Sequence, residues 1–81
     1  MRVEYKPKGV CAAKIIIDTE GGIVRDVVFV GGCDGNAKGV AALVRGMRTE
    51  EVIARLDGIT CGRKGTSCPA QLAQALRMNM L

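Results

Sequence analysis

The first part of the chain has the pattern of an antiparallel hairpin, because apolar runs rich in Val and Ile alternate there with turn residues. The predicted strands are residues 3–5, 11–18 and 23–30. The last two are the clearer ones, since both carry consecutive β-branched residues bounded by turn signals. Between them, residues 19–22 end in two glycines, which tolerate the positive φ angles of a tight turn. The pattern predicts a sheet of two or three strands.

In the rest of the chain apolar residues recur at intervals of three and four, the spacing of amphipathic helices. The three apolar faces are Val40, Leu43, Val44 and Met47; Val52, Ile53 and Leu56; and Leu72, Leu76 and Met80. We expect the first helix to end near Met47, and the second to begin with Thr49 as its cap and to end at Gly58. Ser67 and Cys68 should open the third, with Pro69 at its first helical position.

Two glycine-rich segments, residues 31–36 and 59–66, are predicted to be loops, with Asp34 capping the first helix or supporting a ligand. Strands therefore come first and helices follow. This order predicts an α+β fold, a two- or three-stranded antiparallel sheet followed by three helices packed on one face. The 81 residues suffice for a single domain spanning 1–81.

The composition predicts a core whose apolar packing alone provides little stability. The chain has no Trp and no His, and its only aromatic residues are Tyr5 and Phe29. A domain of this size buries only about 60 % of the surface of its unfolded chain, so its stability is marginal without a cross-link or a metal. Without His the usual general base is missing, and we find no catalytic constellation.

Charge and hydropathy limit the classes of partner that the sequence favours. The net charge is +4, and the basic residues are spread along the chain without stacking aromatics, so there is no strong nucleic-acid signal. A nucleic-acid module remains a third hypothesis, to be tested by salt dependence. Neither a signal peptide nor an apolar run of about 18 residues is found. We therefore expect a cytoplasmic protein without membrane attachment, whose partner is another protein and in which disulfides are rare.

The cysteines are placed where they can meet. Cys11 opens the second predicted strand and Cys33 follows the third, so an antiparallel hairpin brings both to the same end of the sheet. Cys61 and Cys68 flank one glycine-rich loop, and closing so short a loop costs little. The sequence does not force the two pairs to meet. That step depends on how the helices return the second loop to the sheet.

Four thiolates form an ordinary ligand set for Zn²⁺, our first choice, and also for an iron–sulfur cluster. The predicted ligands are Cys11, Cys33, Cys61 and Cys68. A helix N-terminus at Cys68 would favour its thiolate. Three alternatives stay open: four incidental cysteines that pack as small apolar residues, two disulfides, and a redox-active pair formed by Cys61 and Cys68.

The motif Thr66-Ser67-Cys68-Pro69-Ala70 resembles the pentapeptide that gives the TSCPD-domain family its name. The resemblance extends over residues 32–36, 58–62 and 66–72, and is closest to the small stand-alone members with four cysteines. That domain also occurs at the C-terminus of some adenosylcobalamin-dependent ribonucleotide reductases, which implies a second hypothesis, a redox or accessory module of ribonucleotide reduction. Ala70 stands where the family name has Asp, which predicts a weaker helix start.

A more distant resemblance links the chain to U-type iron–sulfur scaffold proteins. It would match Cys11, Cys33 and Cys68 to the three scaffold cysteines, with Cys61 as an addition. Ala13 and Ser67 stand where those scaffolds have Asp and His. A fourth thiolate in place of exchangeable ligands would imply a closed, stable site with sulfurs within about 4 Å of one another. The sequence thus favours a small metal-binding domain that serves as an accessory or interaction module.

Overall fold

The computed structural model describes residues 1–10, 12–31, 34–60 and 65–78, with the backbone alone at residues 34–37. In these ranges the elements are β1 (Arg2–Tyr5), β2 (Ala12–Glu20), β3 (Ile23–Gly31), α1 (Asp34–Val44), α2 (Thr49–Leu56) and α3 (Cys68–Met78). The strands form one antiparallel sheet in the order β1-β2-β3. The predicted α+β fold, an antiparallel sheet followed by three helices, is confirmed.

The β2–β3 turn is tighter than predicted. Glu20 pairs with Ile23, so only Gly21 and Gly22 lie between the strands. Their φ angles are +59° and +78°. Positive φ at both central residues matches a type I′ turn, whose twist suits a two-residue hairpin and which residues with a β-carbon adopt at a cost.

Two irregularities in the β2–β3 ladder reset which residues face the core. Between the pairs Ala12↔Gly31 and Lys14↔Val30, β2 contains one additional residue, Ala13. Arg25 is the additional residue of β3 in the same way, since Asp18 pairs with Asp26 and Thr19 with Val24. Each bulge moves the alternation of side chains by one position. Ala12 and Ile15 are therefore both buried, as are Val24 and Val27.

One face of the sheet carries the core. Its buried apolar cluster joins strand and helix residues: Ile15, Ile17, Val24, Val27, Ala41, Val44, Val52, Leu72, Ala75 and Leu76. On the opposite face, Val28 and Val30 are 45 % and 42 % exposed. The helices therefore pack on a single face of the sheet, as their amphipathic spacing predicted.

Helix α1 is shifted towards the N-terminus relative to its prediction. It already includes residues 34–36, which we expected to be loop, and it ends at Val44 and not near Met47. The end is set by the sheet: Val24 of β3 donates its N–H to the Met47 carbonyl and accepts a hydrogen bond from Gly46, both 2.8 Å long. Leu43, predicted to be buried, is 78 % exposed, and Ala41 takes a core position.

Helix α2 begins without the predicted side-chain cap. Its cap position is occupied by Arg48, which makes no side-chain capping bond, and Thr49 is the first helical residue. The Thr49 N–H instead donates to the Gly22 carbonyl at 2.9 Å, so the turn of the hairpin satisfies a free group of the helix start. Helix α2 ends at Leu56, and Gly58 follows with a φ of +82°.

The outer edge of β3 carries a charged side chain. The Asp26 carboxylate accepts a 3.0 Å hydrogen bond from the Val27 N–H and a 2.9 Å bond from the Arg45 guanidinium. The Val27 N–H therefore has a partner within its own strand, and Arg45 ties β3 to the end of α1. No helix in the part of the chain that the structure describes has the length and apolar character needed to cross a membrane.

Candidate metal centre

Of the predicted ligands, Cys68 is the one that the structure describes. It is the first residue of α3, is half-buried and takes no part in a disulfide. Cys11, Cys33 and Cys61 lie outside the described residues, as do the sulfur separations expected from the scaffold resemblance. Within the described ranges, no three His, Cys, Asp or Glu side chains come together as a metal site. The centre must therefore be assessed from the residues that flank the cysteines.

The position of Cys68 is fixed by a well-formed helix start. The Ser67 hydroxyl accepts a 3.2 Å hydrogen bond from the Ala70 N–H, and the Ser67 carbonyl accepts the first helical bond, from Gln71, at 2.8 Å. Ser67 is thus the cap residue, with a 4 % exposed side chain. Cys68 occupies the first helical position and Pro69 the second, one later than predicted; Pro is tolerated there because the N–H groups of the first turn have no helical partner.

The same serine connects α3 to the segment that leads to Cys61. Its hydroxyl donates a 2.7 Å hydrogen bond to the Ile59 carbonyl. One side chain therefore caps the helix that begins at Cys68 and holds the chain two residues before Cys61. The bond joins Ile59 to Ser67, on either side of the segment that contains Cys61. The approach of Cys61 to Cys68 itself stays a prediction.

Gln71 connects α3 to the segment that leads to Cys11. Its side chain is 6 % exposed, and its Oε1 accepts hydrogen bonds from the Lys8 backbone N–H at 3.1 Å and from the Tyr5 hydroxyl at 3.4 Å. Its Nε2 donates to the Thr66 hydroxyl at 3.0 Å. A buried amide with partners at both ends is favourable, whereas an unpaired one costs about 1–3 kcal/mol.

Gly9 and Thr66 are in close proximity beside this amide. Gly9 has a φ of +73°, and a β-carbon placed on it would lie 3.3 Å from Cγ2 of Thr66. Glycine therefore suits this position both for its backbone conformation and for the narrow space. Gly9 precedes Cys11 by two residues, and Thr66 precedes Cys68 by the same interval.

The open end of the β2–β3 hairpin brings together residues close in sequence to Cys11 and to Cys33. Ala12 pairs with Gly31 in the ladder, and Ala12 is 4 % exposed. Ala12 follows Cys11 directly, and Gly31 precedes Cys33 by two residues. The bulge at Ala13 lies next to this pair. Described residues flanking Cys11 thus contact residues flanking Cys33 and residues flanking Cys68.

Sequence analysis assigned no role in this region to the side chains of Gln71, Thr66 or Tyr5. A signal was present for Gln71. It immediately precedes Leu72 on the buried side of α3, and a long polar side chain beside a core position needs partners. For the hydroxyl groups of Thr66 and Tyr5 the sequence held no comparable signal, because their partner is supplied by tertiary packing.

Two grooves of the described surface lie away from Cys68. One of about 430 Å³ is lined by β3 and α1, including Phe29, Ala41 and Arg45. A second, of about 340 Å³, lies between the end of α1 and α2 and includes Leu43 and Leu56. Neither groove is lined by Cys68 or by the residues that contact its flanks.

Comparison with known proteins identifies one family. The model of the TSCPD domain matches residues 2–80 of the chain. A search of curated proteins found no match, and neither did a search of solved structures. The match extends from β1 to beyond the described end of α3.

Proposed function

The chain belongs to the TSCPD-domain family, and from this premise we propose that it is a small metal-binding domain with a centre of four thiolates. The ligands are Cys11, Cys33, Cys61 and Cys68. Zn²⁺ is the first choice for the metal and an iron–sulfur cluster the second, because both accept an all-thiolate ligand set. The domain comprises residues 1–81 and serves as an accessory or interaction module in the cytoplasm, with another protein as its partner.

One observation carries this proposal: contacts between described residues link the flanks of all four cysteines. The linking pairs are Ala12 with Gly31, Gly9 with Thr66, and Ile59 with Ser67. The step that the sequence left open, the return of the second loop to the sheet, is thereby supported.

The chemistry of the donor set agrees with a resident metal. The chain contains no His, so its own residues supply no mixed Cys/His site. When bound, zinc would supply a cross-link between chain segments distant in sequence, of the kind that a core with few aromatic side chains needs. Four thiolates would leave no position for substrate, so the centre would be structural and not catalytic.

Elemental analysis with an absorption spectrum, on protein purified without oxygen, tests the proposal. We expect about one zinc per chain and no visible absorption, the result for a closed thiolate site. Iron with sulfide and a brown colour would assign a cluster instead. Metal-free protein with four reactive thiols would contradict the proposal and favour the redox module.

Substitution of the ligands gives the matched test. Cys33→Ser and Cys68→Ser should each lose metal and lower the melting temperature, because a hydroxyl is a poor replacement for thiolate. Ala54→Ser, at an exposed position of α2, introduces the same side chain away from the centre and should keep full metal content. If both cysteine variants retain the metal content and melting temperature of the unsubstituted chain, the ligand assignment is wrong.

A redox or accessory module of ribonucleotide reduction is the second candidate. The observation that favours it is the half-buried thiol of Cys68 at a helix start, with the segment before Cys61 hydrogen-bonded to the neighbouring Ser67. A shuttle needs a fast, exposed thiolate, whereas a closed metal site protects every ligand. Thiol alkylation of the metal-loaded protein separates the two: rapid modification of Cys61 or Cys68 would favour the shuttle.

A further inference from the structure

Gln71 joins two segments of the chain that carry different proposed ligands. Its Oε1 holds the Lys8 N–H at 3.1 Å, and its Nε2 holds the Thr66 hydroxyl at 3.0 Å. Lys8 lies three residues before Cys11, and Thr66 lies two before Cys68. Gln71 is 6 % exposed, and both bonds are partly buried.

We infer that Gln71 is a positioning residue for the proposed thiolate centre: its amide holds the segment before Cys11 against the start of α3 before any metal binds. The inference rests on the proposed function and adds to it a residue that is not itself a ligand. The contact between Gly9 and Thr66 has the same effect, because it lets the two backbones approach closely.

The physical reason is the entropy of assembling ligands from distant parts of the chain. Cys11 and Cys68 are 57 positions apart (68 − 11), and without a fixed contact the metal would have to order both segments as it binds. Fixing the backbone of each residue costs conformational entropy. A contact formed during folding orders these segments before the metal binds. The metal therefore binds more tightly to the pre-organised site.

A merely structural role of the buried amide makes a different prediction. In that case loss of the side chain would lower the stability of the fold and leave the metal affinity of folded molecules unchanged. The two roles therefore separate when zinc affinity is measured at a temperature at which every variant is folded, as judged by circular dichroism.

The experiment compares Gln71→Met with Gln74→Met in the full chain. Methionine keeps the length and removes the amide, and Gln74 lies on the same helix with an exposed side chain. Zn²⁺ is titrated against a competing chelator. For Gln71→Met we expect the zinc dissociation constant to rise about tenfold, at the lower end of the effect of removing a group bonded directly to a metal ligand, because Gln71 acts through the backbone next to the ligands. For Gln74→Met we expect no change.

A milder variant and a metal-free measurement complete the test. Thr66→Val removes only the acceptor of the Gln71 Nε2 bond and applies if Gln71→Met does not fold; its dissociation constant should also rise. In the metal-free protein, hydrogen exchange at the Lys8 amide should be slow, and it should become at least about tenfold faster in Gln71→Met, since a broken hydrogen bond exposes that amide.

The outcomes distinguish failure of the proposed function from failure of the inference about Gln71. If the unsubstituted chain binds no zinc, the proposed function is rejected and the inference with it. If it binds zinc and the folded Gln71 variant, or Thr66→Val in its place, has the same affinity, the inference alone is overturned. An equally fast exchange of the Lys8 amide with and without the Gln71 side chain would overturn it independently of any metal.

Discussion

The hydroxyl of Ser67 donates a 2.7 Å hydrogen bond to the carbonyl of Ile59 and at the same time accepts one from the Ala70 N–H. Ser67 is 4 % exposed, so loss of the hydroxyl leaves the Ala70 N–H without its partner in a buried place. It also removes the partner of the Ile59 carbonyl, which is partly buried. This single serine unites the start of α3 with the loop that leads to Cys61.

Replacement of Ser67 by Ala should therefore cost more than an ordinary cap. Loss of a capping hydroxyl costs about 1 kcal/mol, and we expect about 2 kcal/mol here because a second bond is lost with it. Urea denaturation of the metal-free protein measures the difference. Thr60→Ala, at an exposed position of the same loop, is the control and should change the free energy of unfolding by less than about 0.5 kcal/mol. Equal effects of the two variants would contradict the double role.

Two leucines on different helices provide a test of the core. Leu72 is fully buried, whereas Leu43 is 78 % exposed although its spacing predicted a core position. Leu72→Ala should lower the free energy of unfolding by about 2–5 kcal/mol, through lost burial and the cavity that remains. Leu43→Ala should change it by less than about 0.5 kcal/mol. A large loss at Leu43 would show that this side chain is buried in solution.

Two glycines with open space around them should respond to alanine with opposite signs. A β-carbon at Gly22 or at Gly39 meets no atom within 4 Å. Gly22 has a φ of +78°, so Gly22→Ala should be destabilising by about 1–2 kcal/mol through backbone strain. Gly39 lies inside α1, where alanine is the better helix former, and Gly39→Ala should stabilise by about 0.5–1 kcal/mol. Thermal denaturation of both variants is the measurement.

Ala70 offers a test of the position at which the family name has Asp. It lies in the first turn of α3, where a carboxylate gains about 0.3–1 kcal/mol from the helix dipole. Its side chain is 7 % exposed, however, and burial of an unpaired carboxylate costs several kcal/mol. We therefore expect Ala70→Asp to destabilise the metal-free protein at neutral pH. Ala70→Asn, of the same shape without the charge, should cost less, and a more stable Asp variant would refute this argument.

The parts of the fold that the sequence predicted are those decided by local chemistry. The strands, the glycine turn and the start of α3 near Ser67 depend on neighbouring residues, and all are found within one or two positions of the prediction. The end of α1 was predicted too late because it is determined by a partner distant in sequence, Val24 of β3. Leu43 is exposed because the buried side of α1 passes through Ala41 and Val44.

The candidate metal centre likewise has parts that could be predicted from the sequence and parts that could not. The position of Cys68 at a helix start could be predicted from Ser67 and Pro69. The approach of residues flanking Cys11 to those flanking Cys68 could not, since it depends on Gln71 reaching across to Lys8. Periodicity indicates which side chains are buried, but it does not identify the partner of a buried amide. The ligand set itself stays a prediction.

The carboxylate of Asp26 affects whether a second copy of this protein can pair with the outer edge of β3. Exposed strand edges with apolar neighbours such as Val28 are templates for aggregation. Here the Val27 N–H is already bound by the adjacent carboxylate, which is in turn paired with Arg45. A strand from a second molecule would have to displace that bond and bring its own backbone past an ion pair to extend the sheet. One donor on the edge of β3 is thereby already engaged, which disfavours extension of the sheet by a second molecule at this position.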